Sequence, residues 1–122
     1  MTFRDLWSEA NLYDRTLALN EYKGVTFELE NSPAAGEFHV KVYGDGDGKE
    51  QYFKFSELSV TVTFDPSALG AKTTRATLQY LQGTGAVVFL KSVHLIRQDG
   101  TLEASTPSVF WGCEMEMIAN QQ

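Results

Sequence analysis

The stretch Ala86 to Arg97, AVVFLKSVHLIR, constrains the fold more than any other. It is the longest run of strand-forming residues in the chain, rich in β-branched and aromatic side chains and free of Gly and Pro. One alternation does not run through all of it. Val88 and Leu90 share one parity and Val93 and Leu95 the other, with Lys91 and Ser92 between them. Side chains on a strand alternate between faces, so an extra residue at a bulge would switch the inward face and reconcile the two halves. A strand covered on both faces, with Val87 and Phe89 buried as well, fits the same letters. In either case a strand this apolar belongs inside a layered β-structure.

Other segments alternate cleanly. Gly24 to Glu30 sets Val25, Phe27 and Leu29 on one face against Thr26, Glu28 and Glu30, and Glu37 to Tyr43 sets Phe38, Val40 and Val42 against His39, Lys41 and Tyr43. The turn composition of Asn31 to Gly36 between them predicts an antiparallel pair. Gly44 to Glu50, GDGDGKE, reads as a hairpin loop, followed by short strands at Gln51 to Phe55 and Ser59 to Phe64. Pro66 cannot donate to a ladder and restricts Asp65, so the second of these ends there. Ser67 to Lys72 is a loop or a single helical turn. Thr74 to Gln82 is a strand candidate, although its Ala, Leu and Gln also suit a helix. Gly83-Thr84-Gly85 turns the chain into the apolar run, Asp99-Gly100 makes a tight turn before an extended Thr101 to Ala104, and Val109 to Ile118 closes the domain. Met1 to Leu19 is mixed, with a short helix over Trp7 to Arg15 as one reading and a strand entry at Thr16 to Leu19. Short strands at regular spacing predict an all-β, antiparallel β-sandwich of jelly-roll-like construction, forming one domain over residues 1–122.

Charge and cysteine content narrow the partners. A net charge of −6 argues against nucleic acid, whose affinity comes largely from Lys and Arg displacing counterions. The single Cys113 allows no internal disulfide and no thiol pair for a metal. No apolar stretch reaches the length of a membrane helix, and the amino-terminal MTFRDLWSEA, charged from its fourth residue, does not read as a secretion signal. His39 and His94 are the only histidines, and no Ser, Cys or Asp lies in a motif that would activate a nucleophile with them. Glu28/Glu30 and Glu114/Glu116 resemble paired carboxylates, but residues two apart share a face simply through the pleat. A catalytic role is therefore not expected.

The aromatic residues carry more. The Phe side chains mostly take inward parities, whereas Tyr43 shares the outward parity of His39 and Lys41, and Tyr52 alternates against Phe53. Trp7 and Trp111 sit beside polar residues or glycine, where full burial is harder, although Trp111 shares parity with Cys113, Met115 and Met117 and would also suit a core. Aromatic faces beside Gln, His and Glu are what sugar recognition needs. A pyranose stacks its apolar face on a ring while its hydroxyls require donors and acceptors.

The run GAVVFLKSVHLIRQDGTLE resembles the closing segment of many bacterial carbohydrate-binding modules: a small-residue turn, an extended strand, a Lys-Ser-Val-x-Leu step and then Asp-Gly-Thr. LNEYKGVTFELENSPAAGEFHVKVYGDG is similar to their early strands, and WGCEMEM to their final one. The resemblance covers roughly Leu19 to Ile118. It implies a non-catalytic module that binds β-linked plant-cell-wall polysaccharide, β-glucan or hemicellulose. It further implies a catalytic glycoside hydrolase domain in the same parent polypeptide as partner, outside the cell, with neither membrane nor nucleic acid involved. Two Trp are fewer than a planar strip for crystalline cellulose uses, which favours single soluble chains. Candidate ligand residues are Trp7, Tyr43, Tyr52 and Trp111 for stacking, with His39, Gln79 and Gln82 for hydroxyls. A structural or protein-interaction sandwich is the alternative.

No cofactor is expected. Asp45-Gly46-Asp47-Gly48 resembles the start of a calcium loop, yet Lys49 stands where a third oxygen ligand belongs and Ser56 where the bidentate Glu belongs. Asp45 or Asp47 with backbone carbonyls is the residual possibility for a structural calcium. Excess EDTA should leave the melting temperature unchanged; a drop of several degrees, reversed by calcium, would show that the loop holds a structural ion.

Overall fold

A computed structural model describes residues 1–114. Its strands in chain order are β1 (Thr2–Phe3), β2 (Glu9–Tyr13), β3 (Leu17–Ala18), β4 (Tyr22–Leu29), β5 (Phe38–Tyr43), β6 (Glu50–Lys54) and β7 (Ser59–Thr63). There follow β8 (Lys72–Thr73), β9 (Arg75–Tyr80), β10 (Ala86–Val87), β11 (Leu90–Arg97), β12 (Leu102–Ser105), β13 (Ser108–Trp111) and β14 (Cys113–Glu114). A one-turn helix, α1 (Pro66–Leu69), is started by Asp65, whose side chain accepts from the Ser67 N–H at 3.0 Å. Met115 to Ile118 of the expected last strand lie outside the described residues.

A five-stranded antiparallel sheet, ordered β13-β2-β9-β5-β6, faces a four-stranded one, ordered β12-β11-β4-β7. β1 pairs with β10 and β14, and β3 with β8, as short ladders in the connections. Apart from the β5–β6 and β11–β12 hairpins, the chain passes from one of the two large sheets to the other between their successive strands, as in a jelly roll. The inner faces meet in one core: Val25, Phe27, Leu29, Val60, Val62, Val93 and Leu95 from the smaller sheet pack against Ala10, Leu12, Phe38, Val40, Val42, Leu78 and Tyr80 from the larger. Edge-to-face rings join across it, Phe27 to Phe55 at 5.3 Å and Phe3 to Phe38 at 4.9 Å.

Gly24 to Glu30 and Glu37 to Tyr43 do not pair with each other. β4 bonds to β11 and β7, whereas β5 bonds to β9 and β6 in the opposite sheet. Alternation states only that a strand has one buried face, and facing strands of a sandwich satisfy it as well as neighbours in a hairpin. The short helix over Trp7 to Arg15 is likewise replaced by β2. All five of its residues are buried, and the alternation of Glu9 and Asn11 with Ala10 and Leu12 lasts only four residues before a register shift puts the adjacent Leu12 and Tyr13 both in the core.

The two halves of Ala86 to Arg97 are reconciled by a bulge. Opposite β4, Leu90 pairs with Leu29 and Ser92 with Glu28, so Lys91 is the extra residue. Val88, Val93 and Leu95 are buried, while Val87 and Phe89 are exposed. Deleting Lys91 should therefore restore one continuous alternation and leave stability within about 1 kcal/mol of wild type. Deleting His94 from the regular part of β11 turns Val93 or Leu95 outward and should cost about 2–3 kcal/mol or more. Urea unfolding of both variants checks this, and equal losses would mean that Lys91 does not set the phase.

Candidate functional site

The outer face of the five-stranded sheet gathers most of the residues singled out in the sequence. Its ladder register lays them in rows across the strands. One row runs Trp111 (β13), Glu9 (β2), Gln79 (β9), His39 (β5) and Lys54 (β6). The next contains Ser108, Asn11, Thr77, Lys41 and Tyr52, and a third Arg75, Tyr43 and Glu50. A shallow groove of about 520 Å³ is lined by Trp7, His39, Lys41, Tyr52, Lys54 and Gln79.

Trp7 reaches the groove from a turn just before β2. The Trp7 N–H donates to the Tyr80 carbonyl at 2.8 Å, the Tyr80 N–H to the Ser8 carbonyl at 2.8 Å, and the Asp5 N–H to Ser8 Oγ at 3.0 Å. So pinned, Trp7 holds a φ of 73°, alone among the described non-glycine residues in being positive, and its side chain is 52 % exposed. A bulky residue in the left-handed region carries strain of about 1–2 kcal/mol. Trp111, 54 % exposed, stands at the edge of the same face. Gly112, at φ 70°, switches the phase so that Cys113 turns toward the core, and a Cβ there would collide with the Ser8 side chain. The shared parity of Trp111 and Cys113 thus breaks at this glycine.

Between the two indoles the face is held by its own hydrogen bonds. His39, only 8 % exposed, bonds through Nε2 to Gln79 Oε1 at 2.6 Å and packs its ring 4.8 Å from that of Tyr52. With Gln79 Oε1 accepting, Nε2 carries the hydrogen and Nδ1 is an acceptor. Burial holds the imidazole below its ordinary value despite the opposing Gln79 bond, so it is neutral at pH 7. The Tyr52 hydroxyl donates to Glu50 Oε1 at 2.6 Å; that bond pushes Tyr52 up to about 12 and holds Glu50 below the usual carboxylate range. Lys41 pairs with Glu50 at 3.5 Å and lies over the ring of Tyr43 at 4.6 Å.

Glu9 is nearly buried at the centre of the face. Its Oε1 accepts from Tyr43 Oη at 2.7 Å and from Thr77 Oγ1 at 2.6 Å, leaving Oε2 without a hydrogen-bond partner among the described residues. Burial first, and then this carboxylate, raise the Tyr43 hydroxyl well above its ordinary value. Arg75 lies over the rings of Phe110 at 4.0 Å and Tyr43 at 5.4 Å and pairs with Asp14 at 3.6 Å. Burial pushes the Cys113 thiol up to about 12, far from a thiolate at pH 7. Among the described residues no three His, Cys, Asp or Glu side chains converge as metal donors.

Of the sequence candidates, Trp7, His39, Tyr52 and Gln79 line the groove, with Tyr43 and Trp111 on the same face. Gln82 is exposed beyond the end of β9 and does not line it. Lys41, Lys54, Glu9 and Thr77 were not singled out. Lys41, Lys54 and Thr77 share outward parity with His39, Tyr52 and Gln79 and were open to inference, whereas Glu9 was hidden in a strand that reads as mixed. No family model, curated protein or solved structure matches the chain.

Strain at Trp7 has a measurable signature. Because glycine adopts positive φ without penalty, Trp7→Gly should be more stable than Trp7→Ala by about 1 kcal/mol, the reverse of their order on a regular strand. Thermal melts of the two variants decide it, and an alanine variant as stable as the glycine one would remove the strain.

Proposed function

We propose that this face binds single chains of β-linked plant-cell-wall polysaccharide, β-glucan or hemicellulose, without catalysis, and that the domain serves an attached glycoside hydrolase by holding it on its substrate. One observation carries this: a half-exposed indole, held in a strained backbone conformation, overhangs an open groove floored by a second ring, an amide and a neutral imidazole. Trp7 and Tyr52 offer ring faces for stacking. Gln79 Nε2 and the Lys54 ammonium offer donors, and His39 Nδ1 and Glu9 Oε2 offer acceptors, the mixture that hydroxyls require. The row from Trp111 to Lys54 crosses four interstrand spacings, roughly 19 Å, room for several consecutive sugars. The shallow, open shape suits a flexible chain, and two Trp are fewer than a planar strip on a crystal surface uses.

A protein-interaction role draws on Val109, Phe110 and Trp111, three consecutive exposed apolar residues on the edge strand β13. The Trp7 groove favours the glycan.

Affinity gel electrophoresis against xylan, glucomannan, xyloglucan, mixed-linkage β-glucan and hydroxyethyl cellulose tests the proposal, and retardation by at least one is expected. A sugar stacked on Trp7 would cover about 80 Å² of ring, worth roughly 2 kcal/mol, so Trp7→Ala should weaken binding about thirtyfold while the fold survives. Retardation by none of the polymers, or Trp7→Ala and Tyr52→Ala both binding like wild type, would sink it.

A further inference from the structure

The six side chains lining the groove include two ammonium groups and no carboxylate. This stands against the balance of a chain whose net charge is −6. Lys41 is matched by Glu50. Lys54, exposed at the end of β6 directly opposite His39, has no ion-pair or hydrogen-bond partner among the described residues. The groove lining therefore presents a positive charge beside the rings of Trp7 and Tyr52, and Glu9, the carboxylate in the same row, stands three interstrand spacings or roughly 14 Å from Lys54. An ammonium is a strongly hydrated group that donates only. A neutral hydroxyl returns little of the water it gives up, whereas an anion returns it with a charge-assisted bond.

We infer that the groove takes an anionic sugar, a uronic acid residue of the β-linked polysaccharide, its carboxylate paired with Lys54 while a ring of the chain stacks on Trp7 or Tyr52. This rests on the carbohydrate-binding function proposed above and narrows its ligand. The burial of His39 fits it: the imidazole stays neutral beneath the two lysines, so Lys54 acts alone at the groove's outer end. Screening over about 8 Å at physiological ionic strength mutes the distant carboxylates, so the local cation governs what docks. General attraction to polyanions is not available to a chain of this net charge, and a preference for the acidic polymer has to come from the groove.

The test compares glucuronoxylan with the same polymer after carboxyl reduction, which converts each uronate to a neutral hexose and keeps the backbone. Isothermal titration calorimetry of the full chain at low salt should give about fivefold tighter binding to the acidic form, the size of a good solvent-exposed ion pair. That advantage should vanish at high salt and in Lys54→Gln, while Trp7→Ala weakens both polymers alike. Equal or tighter binding of the reduced polymer, or an advantage that survives Lys54→Gln, overturns the uronate and leaves glycan binding standing. Failure to bind either form while another polymer of the panel above is retarded overturns the uronate alone, and failure across the whole panel overturns both.

Discussion

Everything on the candidate surface depends on the antiparallel register of β9 between β2 and β5. Leu78 opposite both Ala10 and Val40 commits the inner face to the core, and the period of two then forces Thr77 and Gln79 outward beside His39 and Lys41. A slip of one residue would bury Gln79 and expose Leu78. The hydrophobic core thus fixes the rows of the outer face with the same certainty as its own packing. The facing sheet supplies the other half of that core through Val25, Phe27, Val93 and Leu95, which is why a surface on one sheet depends on the phase of strands in the other.

Trp7 is held at the groove by a knot of short-range contacts rather than by a strand. Ser8 is fully buried, receives the Tyr80 N–H on its carbonyl, and packs where Gly112 leaves no room for a side chain. The Arg4 N–H donates to the Gly112 carbonyl at 3.2 Å, tying the same turn to the segment that carries Trp111. Both exposed indoles therefore hang from one rigid point although more than a hundred residues separate them in the chain. Strained backbone persists only where its surroundings over-determine it, and here they do.

Much of the fold was legible and some of it could not be. Period-two runs with aliphatic residues on one parity, as in Val25 to Leu29 and Phe38 to Val42, identify strands and their buried faces because burial alone produces that pattern. Which strand bonds to which is another matter. Partner choice between β4 and β5 rests on connection geometry, to which alternation is blind. The bulge at Lys91 was visible as a break of phase, since deleting one residue in thought brings Leu90 and Val93 to one face. β2 is harder to see, because its alternation of Glu9 and Asn11 with Ala10 and Leu12 is short and the register shift at Leu12 sets two adjacent core residues, Leu12 and Tyr13, as readily helical as extended. For the site, outward parity points to His39, Tyr43 and Tyr52, and the need for hydroxyl partners to Gln79. Gln82 extends the apparent run from Thr74, but the strand itself ends at Tyr80. Lys54 is not legible in the sequence, because a lone lysine carries no signal until the charges around it are known.

The same hydrogen bonds that make the face legible in the structure decide how it would meet a ligand. Tyr43, Tyr52, Lys41 and His39 are each already restrained by Glu9, Glu50 or Gln79, so little side-chain freedom remains to be lost when a ligand docks. Their restraint is also a limit, because a donor already committed to a carboxylate has less to offer a hydroxyl. Direct polar contacts then fall to the few atoms still open, Gln79 Nε2, His39 Nδ1, Glu9 Oε2 and the Lys54 ammonium, spaced along one row of the sheet. Stacking on Trp7 and Tyr52 supplies strength that is indifferent to sugar identity. Discrimination is left to that row, where a hydroxyl in the wrong position leaves a nearly buried carboxylate oxygen or an amide unpaired at a cost of about 1–3 kcal/mol, comparable to what a stacked ring contributes.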